Sequence, residues 1–265
     1  MKRSIALITA SPGLVQAFLC DAALHRRLDI EIALAVRIHP LMKLLHRLRD
    51  LRRTLARRAK LNRRSFAAQT LDYFAYRPLA RMTAPVDPRS PALASLRAGR
   101  RVIEATTVND PAVVAALQTP GLALGLVIGG DVFTRRTLDA LALPLFNLHL
   151  SDPAFVRGIP PVFWEVLAGR DTVVPTLHRL TATLDGGEVI HQQACPIAWR
   201  PGLRETIDAT HARIAAAVPA ILEEGLRRIL DGTAQARAIA PGPLRTTPSR
   251  RQIREAQRRC RERSH

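Results

Sequence analysis

The sequence predicts an α/β fold: a doubly wound, mostly parallel sheet with a helical basic insertion and a C-terminal helix. Three observations predict it. Short apolar runs alternate with amphipathic segments of helical period. A Gly or Pro turn bounds nearly every run. The chain has 265 residues, 47% apolar and 23% charged, enough to bury a substantial core.

The elements follow in order. Residues 4–9 form a first strand, and Ser11-Pro12-Gly13 a turn. Residues 14–24 carry Leu14, Phe18 and Ala22 at helical spacing. Residues 30–36 form a second strand, and His39-Pro40 breaks the chain. Residues 41–64 repeat Leu at three and four with Arg between, the pattern of a long amphipathic helix. Residues 71–82 form a shorter amphipathic piece, and 85–91 a loop. Strands at 101–105 and 122–128 flank a helix at 111–117. A helix at 134–141 leads to a fifth strand at 144–149. Residues 173–184 and 188–197 read as two late strands, with His178 facing the core or the sheet edge. Asp185-Gly186-Gly187 joins them, and its glycines suit a turn of positive φ. Residues 204–232 form a closing helix, which Pro219 should kink or split. Residues 241–248 are a linker, and 249–263 an Arg-rich helix or disordered tail. The domain reading is a catalytic unit at 1–200 with an insertion at about 41–98, a helix at 201–240 and a basic tail at 241–265.

The net charge of +18 is not spread evenly. Residues 43–83 hold twelve Lys/Arg against two acids, and residues 245–263 eight Arg against two acids. The core is therefore close to neutral, and basicity belongs to the insertion and the tail. Such runs attract phosphate-rich partners or anionic lipid, or are simply a solvated face. Few aromatics accompany the run (Tyr73, Phe74 and Tyr76), which disfavours RNA. Opposed Leu and Arg faces on 41–64 fit an anionic membrane surface better. Cys20, Cys195 and Cys260 are odd in number and lack metal-ligand spacing. The expectation is a reducing, cytoplasmic setting, peripheral to a membrane if 41–64 binds one, with no metal and no signal peptide. Apolar positions in 204–232 could serve a homodimer.

The chemistry concentrates in two short elements. Asn147 and His149 end the apolar run of strand five, and a two-residue spacing puts both on one face. Asp185 follows 38 positions later. The amide can hold a developing oxyanion, the imidazole can move a proton near neutral pH, and the carboxylate can orient the imidazole. In a doubly wound sheet these positions lie at the carboxyl ends of strands, where ligands bind.

Asn147-Leu148-His149-Leu150-Ser151, Arg157-Gly158 and Leu184-Asp185-Gly186-Gly187, at their present spacing, resemble the folate-dependent formyltransferase family. The resemblance is clear over about 121–200, faint over 1–40 and 100–120, and absent over 43–98 and 240–265. It implies a formyltransferase-type Rossmann-like fold and a formyl donor, 10-formyltetrahydrofolate. It implies Asn147, His149 and Asp185 as catalytic residues. The donor would lie against Gly129, Gly130, Asp131, Val132 and Phe133 on one side and the Thr183-Leu184 backbone on the other. Ser11, Gly13, Ser151, Arg157 and Gly158 would contact the acceptor. The acceptor amine would attack directly, with no covalent enzyme intermediate.

Two departures narrow the acceptor. The family's purine branch has a Gly-rich phosphate loop, and here Thr9-Ala10-Ser11-Pro12-Gly13 has one glycine and a proline without an N–H. Asp152-Pro153 replaces the expected Leu-Pro after the Ser. The stretch Gly158-Ile159-Pro160-Pro161-Val162-Phe163-Trp164 is more similar to the branch that formylates amino sugars, so a small amine such as an amino sugar or sugar nucleotide is the expected acceptor, ahead of glycinamide ribonucleotide and methionyl-tRNA. Hydrolysis of the donor and a basic binding module on the same fold are the alternatives.

Overall fold

A computed structural model of the protein describes residues 2–38, 55–56, 58–60, 65–76 and 90–264. In chain order these form β1 (Arg3–Thr9), α1 (Pro12–Cys20), α2 (Ala22–Arg27), β2 (Ile30–Ile38), α3 (Phe66–Tyr76), α4 (Pro91–Arg97) and β3 (Arg101–Ala105). Next come α5 (Pro111–Leu117), β4 (Leu122–Ile128), α6 (Arg135–Ala140), β5 (Leu145–His149), β6 (Arg157–Gly158), α7 (Phe163–Ala168) and β7 (Thr172–Val173). The rest are β8 (Thr176–Arg179), β9 (Val189–Gln192), β10 (Cys195–Pro196), α8 (Leu203–Leu230), β11 (Leu244–Arg245) and α9 (Arg250–Arg263). The helix expected at 41–64, with its membrane-binding role, lies largely outside the described residues, as does the loop at 85–91.

The sheet has seven strands in the order β3-β2-β1-β4-β5-β8-β9. The first five run parallel. β8 and β9 add on antiparallel. The sequence-based expectation of a mostly parallel, doubly wound sheet therefore holds. Strand alternation builds two cores. Ile5 and Leu7 of β1 pack with Phe18 of α1 and with Ile214, Val218 and Ile221 of α8. Ala6 and Ile8 point to the other face, with Val113, Ala116 and Leu117 of α5.

Four local readings change. The helix expected at 14–24 breaks at Asp21, whose Oδ1 accepts the Leu24 N–H at 2.8 Å and caps a new helix. The two late strands are short, and β7 leaves the main sheet to pair with β10. The left-handed residue of the 185–187 turn is Asp185 (φ 48°), not a glycine. Gly186 and Gly187 are needed for space instead: a Cβ would press on Thr183 or run into the Arg179 carbonyl. Pro219 does not split α8, which runs 28 residues through it. One absent backbone bond is outweighed there by burial of Val218, Ile221 and Leu222 on the sheet. Residues 249–263 are helical as α9, opened by a capping box in which Ser249 and Gln252 bond reciprocally.

The topology fixes where a ligand fits. β1 has β2 on one side and β4 on the other, so the winding reverses between β1 and β4. The loops after these strands touch: Ala10 N–H donates to the Gly129 carbonyl at 2.9 Å. The neighbouring strand β5 brings Asn147 and His149 to the same edge.

The packing gives a stability contrast. Ile221→Ala should cost about 2–5 kcal/mol by urea unfolding, because Ile221 is wholly buried between α8 and the sheet. Arg204→Ala should change stability by about 0.5 kcal/mol or less, since its ion pair with Asp208 is exposed.

Candidate active site

Asn147 and His149 share a face of β5, and β8 runs antiparallel beside them. The register sets His178 opposite Asn147 and Thr176 opposite His149. Asn147 Nδ2 lies 3.1 Å from His178 Nε2. His178 Nδ1 lies 3.0 Å from the Arg179 carbonyl oxygen. A carbonyl can only accept, so Nδ1 carries the proton and Nε2 takes one from the Asn147 amide. That fixes the amide's orientation. One N–H is engaged by His178 and the second remains free for a ligand.

Asp185 reaches the same place from the 180–188 connection. Its Oδ1 lies 3.6 Å from His149 Nδ1 and 3.8 Å from His178 Nε2. These are ion-pair distances, longer than direct hydrogen bonds. Its other oxygen, Oδ2, accepts the Gly158 N–H at 2.9 Å. The carboxylate is thus pinned on one oxygen and faces two imidazoles with the other. All three groups are nearly buried, with Asp185 at 8% and His178 at 2% exposure. Burial depresses the His178 pKa, and the neighbouring His149 adds to that. The Arg179 carbonyl and Asp185 act the other way. The outcome is a neutral His178, as its acceptor role toward Asn147 requires.

The remaining expected residues fall into three groups. Gly129 (φ 60°) and Ser11 face each other across the β1–β4 crevice. A Cβ on Gly129 would stand 3.0 Å from Ser11 Oγ, so the glycine lets the two loops approach. Gly13 beside them is exposed. Asn109, from the connection before α5, donates to the Val132 carbonyl of the loop after β4 at 2.9 Å and accepts from Thr134 N–H at 2.8 Å. Val132 is 57% exposed at this rim, Gly130 and Asp131 are half-buried, and Phe133 is buried in the second core. Opposite, Thr183 is exposed and Leu184 half-buried. Arg157 and Gly158 form β6, where Arg157 donates through Nε to the Gly242 carbonyl (2.8 Å) and through Nη1 to the Leu184 carbonyl (3.2 Å). Ser151 is wholly buried. Two shallow depressions of about 380 Å³ each, one beside Glu224 and Arg228 and one at 117–122, are built from other residues.

Motif reading passes over two buried residues of this region. His178 is one, and the signal for it was parity: it lies two positions beyond Thr176 on a strand pairing with β5. Glu165 in the first turn of α7 is the other. It is 2% exposed, and neither carboxyl oxygen has a hydrogen-bond partner. The Ser151 hydroxyl faces it, also without closing a hydrogen bond, and His149 Nε2 is likewise buried and unpartnered. Burial pushes the Glu165 carboxyl upward, against the pull of Ser151, nearby backbone amides and Arg170. Among the described residues, no group of three or more His, Cys, Asp or Glu side chains could hold a metal, and no helix is long and apolar enough to cross a membrane.

No family model matches the chain. It is 36% identical to the methionyl-tRNA formyltransferase of Herpetosiphon aurantiacus over 107 residues, 40% of this chain and 35% of that protein. The chain matches a third to a half of the length of such curated relatives. Glycinamide ribonucleotide transformylase 1 from Symbiobacterium toebii superposes with a TM-score of 0.56 at 21% identity, over 91% of this chain and 95% of that one. An N-formyltransferase from Helicobacter canadensis, in complex with folinic acid and dTDP-3-aminofucose, superposes with a TM-score of 0.58 at 12% identity, over 98% and 81%. Sheet order and crevice define a Rossmann-like α/β protein. More particularly, the chain has the formyltransferase-family fold.

The buried Glu165 gives a pH prediction. A carboxyl whose folded pKa is raised carries no penalty below the ordinary glutamate range, and stability falls as pH rises toward the folded value. Glu165→Gln should therefore melt above wild type at pH 8, with the gap closing toward pH 4. A constant gap across that range would mean Glu165 does not titrate with folding.

Proposed function

We propose that the protein transfers a formyl group from 10-formyltetrahydrofolate to the primary amine of a small acceptor, an amino sugar or sugar nucleotide. The observation that carries the reading is the convergence of Asn147, His149 and Asp185 at the sheet's carboxyl edge, on a formyltransferase fold. The donor supplies a formyl carbon bonded to a nitrogen that can leave. The loop at Gly129–Phe133 and the Thr183-Leu184 backbone leave an open rim for it, with the exposed Val132 as an apolar contact.

Each residue's part follows from its partners. The free Asn147 N–H meets the charge that develops on the formyl oxygen as the amine attacks. His178 holds that amide in place and, being neutral, adds no competing positive charge. His149 Nε2, buried without a protein partner, is available to the reacting centre. Asp185 faces Nδ1 of the same ring and accepts the proton the amine loses, through His149 or an ordered water; that proton passes to the folate nitrogen as its bond to the formyl carbon breaks. The 3.6 Å gap suits tightening when substrates exclude water. Ser11 and Gly13 line the crevice on the acceptor side.

The curated relatives are named for methionyl-tRNA, whereas a sugar N-formyltransferase from Shewanella sp. and the Helicobacter enzyme share the fold over nearly all of this chain. The single-glycine loop at Ser11-Pro12-Gly13 offers few N–H groups for a ribonucleotide phosphate. The test follows tetrahydrofolate release from the donor against amino sugars, sugar nucleotides, glycinamide ribonucleotide and methionyl-tRNA. Release should require an amine. Asn147→Ala should lower kcat by about a hundred- to a thousandfold. Release without any amine, yielding formate, would make the protein a hydrolase. No release in wild type would sink the formyl-transfer reading.

A further inference from the structure

The segment after α8 returns to the site. β11 pairs in parallel with β6, which is the Arg157-Gly158 motif itself. Arg157 N–H donates to the Pro243 carbonyl at 3.1 Å and Ile159 N–H to the Arg245 carbonyl at 3.2 Å. Gly242 N–H donates to the Pro153 carbonyl at 2.8 Å. The fit has no slack at either end. A Cβ on Gly242 would stand 2.6 Å from the Ala154 carbonyl oxygen, and one on Gly158 would run into the Arg245 carbonyl. The Arg245 guanidinium lies 5.5 Å from the Trp164 ring centre, a cation–π contact. Beyond it, Thr247 is buried and accepts from Arg58, and Arg250 N–H donates to Asp72 of α3. The far end is therefore anchored as well.

Arg157 joins this strap to the catalytic turn. One guanidinium donates to Gly242 on the strap and to Leu184, the residue before Asp185. The next residue, Gly158, donates its N–H to Asp185 Oδ2. Asp185 sits at φ 48°, a left-handed conformation uncommon outside glycine that aspartate tolerates better than most residues. Arg157 and Gly158 supply two holds on it, on the backbone before Asp185 and on its side chain.

We propose that residues 242–245 are an active-site strap and that Arg157 is a positioning residue, transmitting the strap's placement to Asp185 rather than contacting the acceptor. The proposal rests on the formyl-transfer reading of the site. A single planar fork reaches both carbonyls, which a lysine ammonium on a flexible stem cannot reproduce. Loosening either contact lets Asp185 drift from His149. Misplacement of about 1 Å costs on the order of a hundredfold in rate.

The experiment compares wild type with Arg157→Lys and Gly242→Val in the full chain. For Arg157→Lys the account expects kcat to fall about a hundredfold while the KM of donor and acceptor stay within about twofold. Residue-resolved amide exchange should show faster exchange of the Gly158 N–H. The backbone N–H groups at positions 157 and 159, which bond to the strap backbone, should keep wild-type protection. Gly242→Val should accelerate all three, because its side chain displaces the strap. A raised acceptor KM with kcat retained in Arg157→Lys would overturn the proposal and make Arg157 an acceptor contact. An unchanged Gly158 exchange rate in Arg157→Lys would overturn it too. If wild type transfers no formyl group, the functional reading fails by itself, and the exchange measurements still decide whether the strap holds Asp185.

Discussion

The Asp185 carboxylate is the interaction on which the site depends. One oxygen is fixed by the Gly158 N–H at 2.9 Å. The other stands within 4 Å of two imidazoles. A nearly buried carboxylate is costly unless its oxygens are satisfied, so its surroundings must be rigid. The rigidity has two sources. The antiparallel β5–β8 pairing sets His178, Asn147 and His149 in register. The 180–188 connection, folded against Arg179 and held at Leu184 by Arg157, brings Asp185 up to them. An antiparallel strand on a parallel sheet is what lets residues 31 and 36 positions apart, Asn147 with His178 and His149 with Asp185, face one another.

Much of the fold was legible in the sequence because the signals were local. The near-continuous apolar runs of β1 and β4 and the proline at the start of α5 are short-range features. Asn147 and His149 were legible for the same reason, since a two-residue spacing on a strand gives one face. The less legible parts depend on pairing across the chain. His178 acquires its role only once β8 lies beside β5. Glu165 carries no signal in the sequence until α7 packs its first turn against Ser151. Asp185-Gly186-Gly187 announced a turn, but steric approach by Thr183 and Arg179, not glycine φ, settled which residue turned left-handed. Residues 241–248 carry four prolines and glycines in a linker-like composition, and only β6 reveals them as a strand partner.

The arginines of the C-terminal region divide in a similar way. On α9, Arg258 and Arg259 pair with Glu255, Arg263 with Asp171, and Arg250 with Asp72. Most of these pairs are exposed and contribute little to stability individually. Two of them leave the helix, Arg263 for the loop after α7 and Arg250 for α3, and Ala256 and Cys260 of α9 are wholly buried. Net charge alone is thus a poor guide to a partner here, because part of it is committed within the fold.

The claim that Asp185 and His149 act as one unit is tested most directly by a double-mutant cycle on kcat for amine-dependent formyl transfer, with Asp185→Asn, His149→Ala and the pair. The account predicts strong non-additivity: the double variant should be hardly slower than the worse single one, a coupling of about 1–3 kcal/mol. Additive losses, each variant slowing the reaction independently, would contradict it.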